Sequence, residues 1–123
     1  MATFGRVAPG VPVADMDRAI RFYRDLLGFE VRFTNGSPIS FAVLKQGDAE
    51  LHLSAEPAKA GSFHAHLMVD DLDGVHERLQ QAAATIRQPP KVQPWGLRDI
   101  VIADADGNTF EIAEPVGEAA AIE

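Results

Sequence analysis

Two stretches of the chain carry apolar residues at helical spacing, and most of the remainder alternates with the two-residue period of strands. Between Asp15 and Leu27 the apolar positions are Met16, Ala19, Ile20, Tyr23, Leu26 and Leu27, which predicts an amphipathic helix. Asp15 stands where a carboxylate can accept from free backbone N–H groups, and Gly28 where a helix stops in the left-handed conformation. A second helix is predicted from Asp71 to about Ala84, with Leu72, Val75, Leu79 and Ala83 inward and Asp71 repeating the cap. Each helix precedes three β runs. Phe29–Thr34, Ile39–Leu44 and Ala49–Ser54 follow the first, with turns at Asn35-Gly36 and Gln46–Asp48. Ile86–Val92, Leu97–Ala103 and Thr109–Glu114 follow the second. Pro89-Pro90 marks the first of these as an edge or irregular strand.

The two halves repeat. An offset of 56 residues carries Val11–Asp17 onto Leu67–Asp73 and places Asp15 on Asp71. The expectation is one α+β domain over residues 1–123, built from two βαβββ units at about 4–56 and 62–116. The units are expected to form a curved mixed sheet, a cup, with the helices on its outer face. Glu56–Ser62 reads as the linker and Gly117–Glu123 as a frayed, acidic end. Asp104–Asn108 is a tight turn whose spacing does not match a calcium loop.

Composition narrows the function. Hydrophobic residues make up 46% of the chain, enough for a core, and no apolar run approaches a membrane span. The formal charge of −7 leaves no basic patch for phosphates, which argues against nucleic acid and suits cationic ligands. Cysteine is absent, so disulfides and thiolate chemistry are excluded. Met1–Arg6 lacks the pattern of a secretion signal, and a cytoplasmic location is the default expectation. No phosphate-cradling glycine loop and no G-x-S-x-G elbow occurs.

Strand alternation sorts the polar residues. Leu51 and Leu53 belong with the helices, so Glu50, His52 and Ser54 point the other way. Ala65, Leu67 and Val69 are helix-facing, so His64, His66 and Met68 are not. Phe110 and Ile112 are inward and Glu111 is opposite. His52, His64, His66 and Glu111 therefore share the uncovered faces. Such residues can be plain solvated surface; two histidines and a carboxylate are also a common ligand set for a divalent metal.

The run Val13-Ala14-Asp15-Met16-Asp17-Arg18-Ala19 through Phe22–Phe29, and the turn Asp104–Asn108 followed by Phe110-Glu111, resemble the vicinal oxygen chelate superfamily. That group includes glyoxalase I, extradiol dioxygenases, fosfomycin-resistance enzymes and bleomycin-resistance proteins. Its metal enzymes take ligands from the first and last strands of each repeat. On that pattern His64, Glu111 and His52 fall at ligand positions, while Ala8 occupies the fourth and cannot ligate. The resemblance thus implies a candidate divalent-metal site (Zn, Ni, Mn or Fe) in a glyoxalase-like lyase or isomerase or an extradiol-type dioxygenase.

Gln93–Arg98 resembles the corresponding segment of bleomycin-resistance proteins, and Pro9 matches the proline of their first strand, which swaps between subunits. The implied function is a homodimeric, cofactor-free protein that sequesters a planar aromatic antibiotic or similar natural product. Phe41 and Trp95 would be its aromatic walls, with His52, His66 and Glu50 as further ligand contacts. Trp95, the chain's one tryptophan, sits in a loop between Pro94 and Gly96, where such rings line sites and interfaces as often as they cap cores.

Overall fold

The computed structural model describes residues 1–116; the expectation for the end of the chain, 117–123, lies outside them. The chain divides into two compact units, Met1–Ala60 and the stretch from Gly61 onward. Both are strand–helix–three-strand repeats carrying a four-stranded mixed sheet.

The first unit runs β1 (Gly10–Val13), α1 (Met16–Arg21), β2 (Glu30–Asn35), β3 (Phe41–Gln46) and β4 (Ala49–Ala55). Asp15 caps α1 as expected, its Oδ1 accepting from the Arg18 amide at 3.1 Å. Periodicity predicts one helix to Leu27. The structure instead widens after Arg21 into a π-helical turn, Phe22–Leu26, before Gly28 at φ +77° ends it. The helical path continues, but the wider turn sets Phe22 edge-on to Tyr23, which is fully buried. In sheet order β1-β4-β3-β2, β1 is parallel to β4 and the rest are antiparallel. Val11, Val13, Leu51, Leu53, Ala42 and Leu44 line one face with Met16, Ala19, Ile20 and Tyr23, forming the core. The predicted strand from Ile39 begins only at Phe41, because residues 36–39 form the turn, with a cis Ser37-Pro38 bond.

The second unit runs β5 (His64–Met68), α2 (Leu72–Gln81), β6 (Thr85–Val92), β7 (Leu97–Ala103) and β8 (Thr109–Pro115), ordered β5-β8-β7-β6. Asp71 caps α2 through the Gly74 amide at 3.0 Å, and a Cβ at Gly74 would run into that carboxylate. Leu72 and Leu79 bury against the layer of Ile100, Ile102, Phe110 and Ile112. The helix stops earlier than the apolar pattern predicts: Ala83 takes φ +55° and is exposed, not inward. A terminal turn gains nothing once the chain must swing into β6. That strand is an edge, as Pro89-Pro90 requires, with its register broken between Gln88 and Lys91. Residues 57–59 between the units form a short 3-10 turn. Among the described residues no helix is long and apolar enough to cross a membrane.

The Asp104–Asn108 turn is a structural clasp. Asn108 is fully buried; its Oδ1 accepts from the Gly61 and Phe63 amides at 2.9 and 3.1 Å. Its side-chain amide donates to Asp104 Oδ2 at 2.9 Å, and Asp104 Oδ1 accepts from the Asp106 and Asn108 backbone. The Asp104 carboxylate thus accepts from its own turn.

Candidate functional site

In each unit the helix lies on one sheet face, and the polar side chains singled out from alternation stand on the other. In the first unit that open face carries an aromatic row. Phe33, on β2, packs edge-to-face on Phe41 of β3 with ring centres 6.5 Å apart, and Phe41 meets His52 of β4 edge-on at 5.4 Å. Phe33 is 54% exposed. The row ends at Glu50, whose Oε2 accepts from His52 Nε2 at 2.8 Å and whose Oε1 faces Arg6 Nη2 at 3.0 Å. The hydrogen bond from His52, with Arg6, His52 and Lys45 as nearby positive charge, holds the Glu50 carboxyl below its ordinary value against the cost of burial.

In the second unit His64 and His66 project from β5, and Glu111 from β8 lies across from His66 in register. Their donor atoms all fall within 4.8 Å of one another. His66 Nδ1 is 3.5 Å from Glu111 Oε1, the two imidazoles stand edge to face, and His64 Nδ1 meets Thr109 Oγ1 at 2.6 Å. Behind Glu111 lies Asp99, only 1% exposed. Its Oδ1 accepts from Gln88 Nε2 at 2.7 Å and Gln93 Nε2 at 3.0 Å. Asp99 Oδ2 and Glu111 Oε2 are both buried without a hydrogen-bond donor. The Asp99 carboxyl beside it, reinforced by burial, pushes the Glu111 carboxyl up. Burial also works to raise Asp99, but the neighbouring Glu111 carboxyl and the hydrogen bonds from Gln93 and Gln88 outweigh it and bring Asp99 down. Gln93 also holds the turn carrying Trp95, through its amide to the Leu97 carbonyl at 2.7 Å; Trp95 is 49% exposed there.

The structure therefore brings together His52 with Glu50 and Phe41 in the first unit, and His64 with His66 and Glu111 in the second. The sheet registers show why the imidazole pair gathers in the second unit. His66 pairs with Glu111 where, in the first sheet, Gly10 pairs with His52. As a donor set, two imidazoles and a carboxylate suit zinc, nickel, manganese or ferrous iron. The residues fit such an ion.

Sequence reasoning missed Asp99, Phe33 and Arg6. For Asp99 a signal was present: it alternates with Ile100 and Ile102 in β7, so it had to share the face of Glu111. Phe33 was readable from β2 in the same way. Arg6 precedes any regular element and carried no signal.

The model of the Glyoxalase/Bleomycin resistance protein/Dioxygenase superfamily matches residues 3–112. The chain is similar to the bleomycin resistance protein of Geobacillus stearothermophilus, 27% identical over 131 aligned positions that cover 88% of this chain and 95% of that protein. It is also similar to the putative glyoxylase CFP32 of Mycobacterium tuberculosis, 29% identical over 105 positions. That match covers 80% of this chain but only 40% of that protein, so the chain spans well under half its length. Among solved structures, TnmS3, an antibiotic binding protein from Streptomyces sp. CB03234, superposes with a TM-score of 0.79 at 30% identity. It covers 94% of this chain and 99% of that one.

Proposed function

The chain belongs to the glyoxalase/bleomycin resistance protein/dioxygenase superfamily, and on that premise we propose that it binds and sequesters a planar aromatic small molecule, an antibiotic or similar natural product, without turning it over. The observation that carries this reading is the Phe33–Phe41–His52 row. It presents ring edges and faces on a sheet surface that no helix of its own unit covers. Aromatic stacking adds about 0.5–1.5 kcal/mol per pair beyond area burial, so two such contacts give useful selectivity for flat ligands. Similarity to TnmS3 and to bleomycin resistance proteins, which are named for antibiotic binding and drug resistance, supports the same reading. Trp95 is proposed as a further ligand contact, His66 and Glu50 as polar contacts, and a homodimer as the working form. The test is titration of planar aromatic compounds against Trp95 fluorescence. Saturable quenching with no product by mass spectrometry supports sequestration; a compound consumed catalytically overturns it.

One observation favours a second reading, a metal-dependent enzyme of the same superfamily: the donors of His64, His66 and Glu111 converge. These residues would hold a divalent ion, with His52 the further candidate named by the resemblance. The ion would supply Lewis-acid stabilisation to adjacent oxygens of a substrate. Elemental analysis of protein purified without chelators or an affinity tag decides it. A near-stoichiometric metal lost in Glu111→Ala supports the enzyme; no uptake of nickel, zinc, manganese or ferrous iron leaves the aromatic face as the function.

A further inference from the structure

We propose that Glu50 is the seat for a cationic group on the bound molecule, and that Arg6 is an internal stand-in which the ligand displaces. This rests on the reading of the chain as a binder of planar aromatic molecules, and it narrows that class to planar aromatics bearing an ammonium, amidinium or guanidinium group.

The geometry of Glu50 is the starting point. Its side chain is 15% exposed and lies at the end of the aromatic row, next to His52 on the same face of β4. A flat ring lying along Phe33 and Phe41 would bring one end of itself to this carboxylate. Arg6 Nη2 stands 3.0 Å from one oxygen of Glu50 and His52 Nε2 2.8 Å from the other. Lys45 stands opposite it on β3.

The character of Arg6 is the second support. It comes from residues 1–9, which precede β1 and form no helix or strand. Its neighbours Phe4 and Val7 are 94% and 84% exposed, so that segment is not held by apolar packing at those positions. The Arg6 side chain is itself 54% exposed, and an ion pair with so open a partner is weak. A loosely held guanidinium lying on a nearly enclosed carboxylate is the arrangement expected of an exchangeable occupant.

Exchange also decides specificity. A cationic ligand that displaces Arg6 leaves Glu50 with a charge partner. A neutral ligand that does so leaves a carboxylate beneath an apolar ring with one partner fewer, which is unfavourable.

The test uses a matched pair of probes at neutral pH: 9-aminoacridine, a protonated planar cation, and acridine, its uncharged counterpart. Both are titrated into the wild-type chain, Arg6→Ala and Glu50→Gln, with thermal melts confirming that the variants fold. The wild type is expected to bind 9-aminoacridine about tenfold more tightly than acridine. Glu50→Gln is expected to erase that preference. Arg6→Ala, outside the folded sheet, is expected to tighten 9-aminoacridine severalfold and to leave the acridine affinity no weaker. Equal affinity for the two probes, an undiminished preference in Glu50→Gln, or weaker 9-aminoacridine binding in Arg6→Ala overturns the cation seat while leaving the planar-ligand reading standing. Binding of neither probe overturns both.

Discussion

Glu111 and Asp99, on neighbouring strands of the second sheet, each bury one carboxyl oxygen that no donor of another residue reaches, and the two carboxyls perturb each other. Two carboxyl groups in contact away from water share a proton when no cation is present. Glu111 is the partner whose pKa is raised, so the folded chain keeps a proton that the unfolded chain releases above the ordinary value of 4.5. That contribution is complete below the unfolded value and is lost as pH rises through the higher folded one. Glu111→Gln keeps a donor toward Asp99 without a titrating proton. Its melting temperature should therefore gain on that of the wild type as pH rises above about 4.5, measured by calorimetry in chelator. A difference that stays flat from acid to neutral pH would show that the pair holds no proton.

The Asn108 clasp should be worth more than any single hydrogen bond. Asn108→Ala strips the acceptor from two amides and leaves Asp104 Oδ2 without its side-chain donor. Buried groups left unpaired cost about 1–3 kcal/mol each where water cannot replace the partner. A loss of roughly 2–4 kcal/mol is expected in denaturant titration. Asn108→Asp keeps the acceptor but sets a carboxylate against Asp104, so it should be more damaging at neutral than at acid pH.

Two glycines with positive φ separate steric need from conformational convenience. At Gly61, φ is +91° and a Cβ would stand 2.5 Å from the Asp106 carbonyl oxygen, which is backbone and cannot step aside. At Gly47, φ is +56° and a Cβ would meet nothing within 4 Å. Gly47→Ala should cost about 1 kcal/mol, the left-handed penalty alone. Gly61→Ala should cost several-fold more, and equal unfolding midpoints for the two variants would contradict this account.

Opposite faces of the first sheet should answer differently to truncation. Leu53 is wholly buried on the helix side, and Leu53→Ala should lose about 2–5 kcal/mol of stability. Phe41 is partly exposed on the open side, so Phe41→Ala should cost less stability while weakening planar aromatic ligands by tenfold or so. A ligand affinity unchanged in Phe41→Ala would remove the aromatic row from the site.

Most of the architecture was legible because its signals are local. The caps at Asp15 and Asp71, the stop at Gly28 and the span Leu97–Ala103 each depend on residues within a turn or a strand length of one another. The 56-residue repeat pointed to two like units, and alternation placed Glu50, His52, His64, His66 and Glu111 on open faces. The π-helical turn at Phe22–Leu26 and the left-handed Ala83 were not legible, since apolar spacing does not distinguish a regular turn from a widened or terminated one.

What the sequence determined by itself was the periodicity, the chain reversals, the family and the side of each sheet on which a polar residue stands. Those follow from backbone sterics and the two- and 3.6-residue periods. What only the tertiary structure decided was which polar residues meet. His66 joins His64 and Glu111, Asp99 lies beside Glu111, and Arg6 reaches Glu50. Those meetings depend on strand register and on pairing between distant strands, β1 with β4 and β5 with β8. Register is set by burying the opposite, apolar faces, so the functional faces inherit their neighbours from a core in which they take no part.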